Sequence, residues 1–272
     1  MASYHRPREL DEALAVLREG AITVIAGGTD YYPVRVERLA NEDLLDITAI
    51  AALRRIDTTA SHFRIGAGVT WTDLIRAELP PCFDGLKRAG REVGGVQIQN
   101  VGTLAGNVCN ASPAADGVPC LMALETEVEL ASAAGTRTLR LEDFILGPRK
   151  TARRPDELVL GLRIPCAHDV AQSVFLKLGS RRYLVISIVM LAAVITRAVD
   201  GRITRARIAV GACAATAKRL PALEAALIGA HGDTVTILDE HLAPLSPIDD
   251  IRAPAAYRRQ AVSTLLRRAL RP

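Results

Sequence analysis

The spacing of apolar positions changes several times along this chain, and each change marks an element. Within 7–18, Leu10, Ala13, Leu14 and Leu17 recur at helical spacing and predict an amphipathic helix. Val24, Ile25 and Ala26 close a strand-like, mostly apolar run over 21–26, and Gly27-Gly28-Thr29-Asp30 comes directly after it. The pattern then reads as a short helix over 31–38, a strand over 44–47 and a helical turn around Leu53. Residues 1–55 are thus expected to form a small α/β unit.

A second unit is expected over 56–165. Strand 62–65 runs into Gly66-Ala67-Gly68-Val69-Thr70-Trp71 and a short helix over 72–77. That stretch approaches a dinucleotide fingerprint, but Trp71 stands where a third glycine would allow close helix packing. It predicts instead a core tryptophan beside a Thr70 or Thr72 cap. Further helices are expected over 80–91, broken by Gly94-Gly95, and over 117–124. Strands are expected at 127–131, 138–141 and 158–164, the last ended by Pro165.

From 166 the pattern changes again, to strands at 174–178, 186–195 and 203–212 with Asp200-Gly201 as a hairpin turn. Helices at 218–227 and 255–270 complete the chain. Pro254 precedes the last helix and arginines close it, as backbone geometry and the helix dipole favour. Residues 166–272 should therefore be an α+β domain with a three-stranded antiparallel sheet backed by helices.

One stretch, 99–116, fits none of these patterns. Gln99-Asn100-Val101-Gly102-Thr103-Leu104-Ala105-Gly106-Asn107 continues to Asp116 with almost no charge, too polar for a core strand and too apolar for a solvated loop. Glycines let a ligand approach the backbone, and Asn, Thr and Ser add short neutral hydrogen-bonding arms. Asp116 precedes a helix and is a candidate N-cap. The same residue types also build an ordinary capped turn, so on these residues alone both readings stand. Strand 21–26 with Gly27-Gly28 and a helix start after it is the second such element, a geometry that offers N–H groups to a phosphate.

Composition narrows the function classes. Hydrophobic content of 49% and charged content of 24% suit a folded globular chain, and no apolar run approaches the roughly 20 residues of a membrane helix. Thirty-four basic against thirty acidic residues leave a net charge of +4, with arginine pairs scattered rather than striped, which argues against nucleic acid as a partner. Five cysteines without a C-x-x-C pair argue against a disulfide framework, a zinc site or an iron–sulfur cluster. No histidine spacing suggests a metal, and no acid–base constellation suggests catalytic residues. With no secretory leader in view, the cytoplasm is the expected compartment.

The two glycine loops, Ala26-Gly27-Gly28-Thr29-Asp30 and Gln99 to Asn107, resemble those of the FAD-containing medium subunit of molybdenum hydroxylases, the xanthine dehydrogenase and carbon monoxide dehydrogenase family. Ser112-Pro113-Ala114-Ala115-Asp116, Gly147-Pro148-Arg149-Lys150-Thr151, Arg154-Pro155-Asp156-Glu157-Leu158 and Phe175-Leu176-Lys177-Leu178-Gly179 match its later landmarks in order. The resemblance implies a two-subdomain FAD-binding fold of PCMH type with a C-terminal domain after it. One departure is Ala105, where the family has a second glycine, and the added methyl bears on cofactor affinity.

Carried over residue by residue, the resemblance implies that Val24, Ile25, Ala26, Gly27, Gly28, Thr29, Asp30 and Tyr31 line the cofactor, with Tyr31 toward the ring. Gly102, Thr103, Ala105, Gly106 and Asn107 would line its other side, Asp116 would bind ribityl or ribose hydroxyls, and Val159 would be a lesser contact. Lys177 would place a positive charge near the flavin, although a lysine in a strand also suits an exposed sheet face. No histidine stands after either loop at the position where related flavoproteins attach FAD covalently, so the resemblance implies noncovalent FAD. The family's reaction would then be divided among chains. A large molybdopterin-binding subunit and a small [2Fe-2S] subunit would be partners in a dimer of heterotrimers, meeting this chain near 177–183. The alternatives are a stand-alone flavin oxidase or reductase and a scaffold with a degenerate flavin site.

Overall fold

The structure, a computed structural model, describes residues 2–20, 22–35, 41–168 and 170–271. Its first unit is a parallel three-stranded sheet with β1 (Tyr4–His5) and β2 (Thr23–Ile25) flanking β3 (Leu44–Asp46). Helix α1 (Leu10–Arg18) connects β1 to β2 and buries Ala13 and Leu17. It starts three residues later than the periodicity suggests, because Glu9 is extended (φ −113°, ψ 150°). After β2 the chain turns on Gly28, whose carbonyl accepts the N–H groups of both Tyr31 and Tyr32 (3.1 Å each). The helix expected at 31–38 is reduced to a single 3₁₀ turn at Pro33–Arg35, and its remainder, 36–38, lies outside the described residues.

The second unit is built on an antiparallel sheet of five strands, of which β4 (Ile56–Thr58) and β5 (His62–Gly66) come first. Helix α2 (Trp71–Arg76) comes after β5, and Thr70 caps it in a reciprocal box with Asp73. Thr72 instead donates its hydroxyl to Asn100 (2.7 Å). Trp71 is buried as expected and wedges α2 against α3 (Asp84–Glu92). A Cβ on Gly90 or Gly117 would come within 2.9 and 2.7 Å of its ring, so both positions are held to glycine by packing.

Gly94, at φ +54°, breaks the chain as expected, but the residues after it are largely helical, in α4 (Val96–Val101) and α5 (Leu104–Asn110). Leu104, Ala105 and Val108 face the core at helical spacing, and Thr103 Oγ accepts the Gly106 N–H (2.9 Å) to start α5. Next come α6 (Gly117–Ala123), the hairpin β6 (Glu127–Ser132) and β7 (Gly135–Arg140), the short α7 (Leu141–Phe144), and a ribbon of β8 (Ile145–Gly147) and β9 (Lys150–Thr151). Strand β10 (Leu158–Pro165) returns between β5 and β6, which gives the sheet the order β4-β5-β10-β6-β7.

The C-terminal unit has the three expected long antiparallel strands, β11 (Gln172–Leu178), β12 (Val189–Arg197) and β13 (Ile203–Gly211). A two-residue β14 (Lys218–Arg219) joins the β13 edge, and α8 (Pro221–Leu227) starts only at Pro221. Helices α8 and α9 (Ala255–Ala269) cover one face of this sheet, while α6 and the first core cover the other. Burial on both sides explains why β12 reads as one apolar run without alternation.

Candidate functional site

The two glycine loops meet. A Cβ on Gly27 would lie 1.9 Å from the Val101 carbonyl oxygen, and one on Gly102 would lie 3.3 Å from Thr29 Oγ. Only glycine at position 27 allows this approach, and Gly28 (φ +67°) has in addition the left-handed backbone that glycine tolerates. The backbone N–H groups of Gly27, Gly28, Thr29 and Asp30 have no acceptor among the described residues. Consecutive free N–H groups of this kind form a concavity suited to an anion.

Side chains of the first loop divide differently from the expectation. Val24, Ile25 and Ala26 pack into the core, so only their backbone is available to a ligand. The Tyr31 hydroxyl donates to Glu42 (3.0 Å), and the Arg35 guanidinium covers its ring at 3.9 Å. The exposed ring is that of Tyr32, which lies where a Gly28 side chain would be. Both tyrosines stand side by side in the sequence, and nothing local distinguishes them.

On the second loop, Ala105 is 3% exposed and turned into the core, and Thr103 is engaged in capping. The informative atom is Asn107 Oδ1, buried and without a hydrogen-bond partner. It lies 3.1 Å from where a Gly117 side chain would begin. A buried amide oxygen left open is costly unless something donates to it. Val159 is buried on β10, beside the bulge between Val159 and Gly161.

Asp116 does not cap α6 with its side chain. Its carboxylate accepts instead from Lys177 Nζ and from Ser187 Oγ, both at 2.6 Å. Burial pushes the Asp116 carboxyl above its ordinary value, and the Lys177 ammonium pulls it back. Lys177 is thus directed inward from β11, opposite the exposed-face alternative. Ser187 was not singled out as a ligand from the sequence, although a single serine inside the apolar run 183–196 is the signal that marks it.

Lys177 also lines a cleft of about 420 Å³ together with Phe175, Arg88, Glu92, Arg181 and Arg182. Lys177 thus belongs both to the Asp116 pair and to this cleft. Among the described residues there is no group of three or more His, Cys, Asp or Glu placed to hold a metal, and no helix long and apolar enough to cross a membrane.

Comparison with known proteins bears on the family of the chain. Residues 1–167 match the family described as the FAD binding domain in molybdopterin dehydrogenase, and residues 175–272 match the CO dehydrogenase flavoprotein C-terminal domain. The nicotine 6-hydroxylase medium subunit of Paenarthrobacter nicotinovorans is 29% identical over 273 residues, covering 98% of this chain and 95% of that protein. The carbon monoxide dehydrogenase medium chain of Hydrogenophaga pseudoflava is 28% identical over 278 residues, covering 98% and 95%. Reconstituted CO dehydrogenase from Oligotropha carboxidovorans superposes with a TM-score of 0.91 at 27% identity, over 99% of this chain and 96% of that one. With both matches in order and relatives aligned nearly end to end, the chain belongs to the flavoprotein family of the molybdopterin dehydrogenases, the oxidoreductase family of the carbon monoxide dehydrogenase medium chains.

Proposed function

We propose that this chain holds one FAD, noncovalently, where the two glycine loops meet, and works as the electron-transfer subunit of a molybdenum hydroxylase. The observation that carries the proposal is the run of four unbonded N–H groups of the first loop, packed against Val101 and Gly102 of the second. Those N–H groups would hold the pyrophosphate, and Asn107 would accept a hydrogen bond from the cofactor. Bound there, FAD supplies exchange between one-electron and two-electron carriers. Lys177, fixed by Asp116, would hold an oriented N–H donor beside the site.

In this reading, residues 1–55 and 56–165 are the two FAD-binding subdomains, and 166–272 the C-terminal domain. Electrons would come from [2Fe-2S] clusters of a small partner subunit, fed by molybdopterin on a large one, in a cytoplasmic dimer of heterotrimers.

The full chain, expressed and purified, should be yellow and release free FAD on denaturation. Asn107→Leu should weaken FAD binding about tenfold or more by removing the acceptor. Colourless protein that ignores added FAD overturns the proposal. Co-expression with its two partner subunits should yield one complex by light scattering, and separate species would remove the subunit assignment.

A further inference from the structure

We propose that the cleft between α3 and the outer edge of β11 takes a small polyanionic electron acceptor. The acceptor role rests on the FAD reading above; the anion site itself does not.

The cleft has about 420 Å³ of room, within the range of small-molecule sites. Its charges are unbalanced. Arg88, Lys177, Arg181 and Arg182 face Glu92, and Lys177 is already matched by Asp116. That leaves three guanidinium groups against one carboxylate. Arg88 and Arg182 make no ion pair or side-chain hydrogen bond among the described residues. Arg181 donates from both Nε (3.2 Å) and Nη2 to the Leu184 carbonyl, which fixes its orientation and leaves Nη1 for a ligand. Guanidinium forks bind multiply charged oxygen or nitrogen anions in preference to neutral rings. The only aromatic wall, Phe175, is 2% exposed and offers a neutral ring almost no surface to stack on. β11 is the edge of its sheet, so the cleft is not closed by another strand. Lys177 belongs both to the cleft and to the Asp116 pair, which puts a bound anion next to the proposed flavin.

Hexacyanoferrate tests the site in both redox states. Ferrocyanide, the reduced ion, serves as a binding probe for the full chain with and without FAD by titration calorimetry. Saturable one-to-one binding is expected, weakened about tenfold or more in Arg88→Gln/Arg182→Gln and by added salt. The Arg267→Gln/Arg268→Gln variant, whose arginines are exposed at the far end of α9, should bind as the parent does. Ferricyanide then tests the acceptor role by stopped flow with the photoreduced FAD-loaded chain. Two ferricyanide ions each take one electron, and the proton lost from the reduced ring passes to solvent. Reoxidation should slow about tenfold in the double variant with ferricyanide but stay within about twofold with neutral benzoquinone. Absence of saturable binding, equal loss in both arginine variants, or loss of ferrocyanide binding on FAD loading overturns the site. Equal slowing with benzoquinone overturns the acceptor's anionic character. A chain that takes no FAD but binds ferrocyanide through Arg88 and Arg182 removes the acceptor role and the FAD reading, and leaves only an anion site.

Discussion

Lys177 Nζ and Asp116 Oδ2 lie 2.6 Å apart on segments 61 residues apart in sequence, with side chains only 9% and 7% exposed. The pair joins the start of α6 to the C-terminal sheet. Breaking a buried pair from one side costs more than the pair contributes, because the remaining charge stays desolvated. Lys177→Met should destabilise the chain by about 3 kcal/mol, and Lys177→Met/Asp116→Asn by clearly less than the sum of the single changes. Asp116 already has a raised carboxyl, and losing Lys177 raises it further. A raised acid stabilises the fold below its unfolded value and loses that contribution as pH rises, so the Lys177→Met deficit should shrink toward acid pH. Urea unfolding of the four variants at two pH values checks this, and simple additivity would show that the residues are uncoupled.

Glu125 behaves in the opposite sense. Its carboxylate meets Arg205 and Arg207 at 2.8 Å each and lies 3.1 Å from His168 Nε2, which is outside hydrogen-bond alignment. His168, then Arg207 and Arg205, hold this carboxyl well below the ordinary carboxylate range. A lowered acid stabilises the fold above its unfolded value, about 4.3, and loses that contribution as pH falls. Glu125→Gln should therefore lower the melting temperature at neutral pH and flatten the acid limb of the stability curve. Melting curves across that range that stay parallel to the parent's would count against it.

Gly27→Ala should separate the two glycine loops, since its Cβ would meet the Val101 carbonyl at 1.9 Å. A loss of about 1–3 kcal/mol in stability is expected, with weaker FAD binding. Gly147→Ala, with no heavy atom within 4 Å of the new carbon, should change neither. Thermal melts and FAD titrations of both variants decide whether loop contact or general glycine loss is responsible.

Ala105→Gly restores the residue the family pattern has, yet Ala105 is 3% exposed in α5 and faces the core. Its methyl does not point into the loop junction. The variant should bind FAD no more tightly than the parent and lose about 1 kcal/mol through weaker helix propensity. A tenfold gain in affinity would instead place the methyl against the cofactor.

Much of the fold was legible because period and burial agree: the Leu10, Ala13, Leu14 and Leu17 stripe, the apolar β12 and the hairpin at Asp200-Gly201 all appear. The stretch 99–116 was not, because Leu104, Ala105 and Val108 mark a core helix only once Thr103 caps it, and glycines with asparagines mask the period. Lys177 was ambiguous for a different reason. Phe175-Leu176-Lys177-Leu178 reads the same whether the lysine meets water or a carboxylate 61 residues away, and only tertiary pairing decides. Ser187, Tyr32 and Arg88 were missed on the same ground, since each acquires its place through a neighbour distant in sequence or in orientation. β14, two residues long, is created by its partner strand rather than by its own propensity.

Trp71 is the chain's single tryptophan, 1% exposed, and its backbone N–H donates to the Gly102 carbonyl at 3.0 Å. Its ring also lies against Gly117, the residue after Asp116. The indole is therefore an internal fluorophore set beside both halves of the proposed site, shielded from water and free of competing tryptophan emission. Flavin absorbs where a buried indole emits, so FAD added to the cofactor-free chain should quench this emission by energy transfer, saturating at one equivalent. The packing wedge doubles as a label-free optical readout of occupancy, and full emission at saturating FAD would put the cofactor far from the loops.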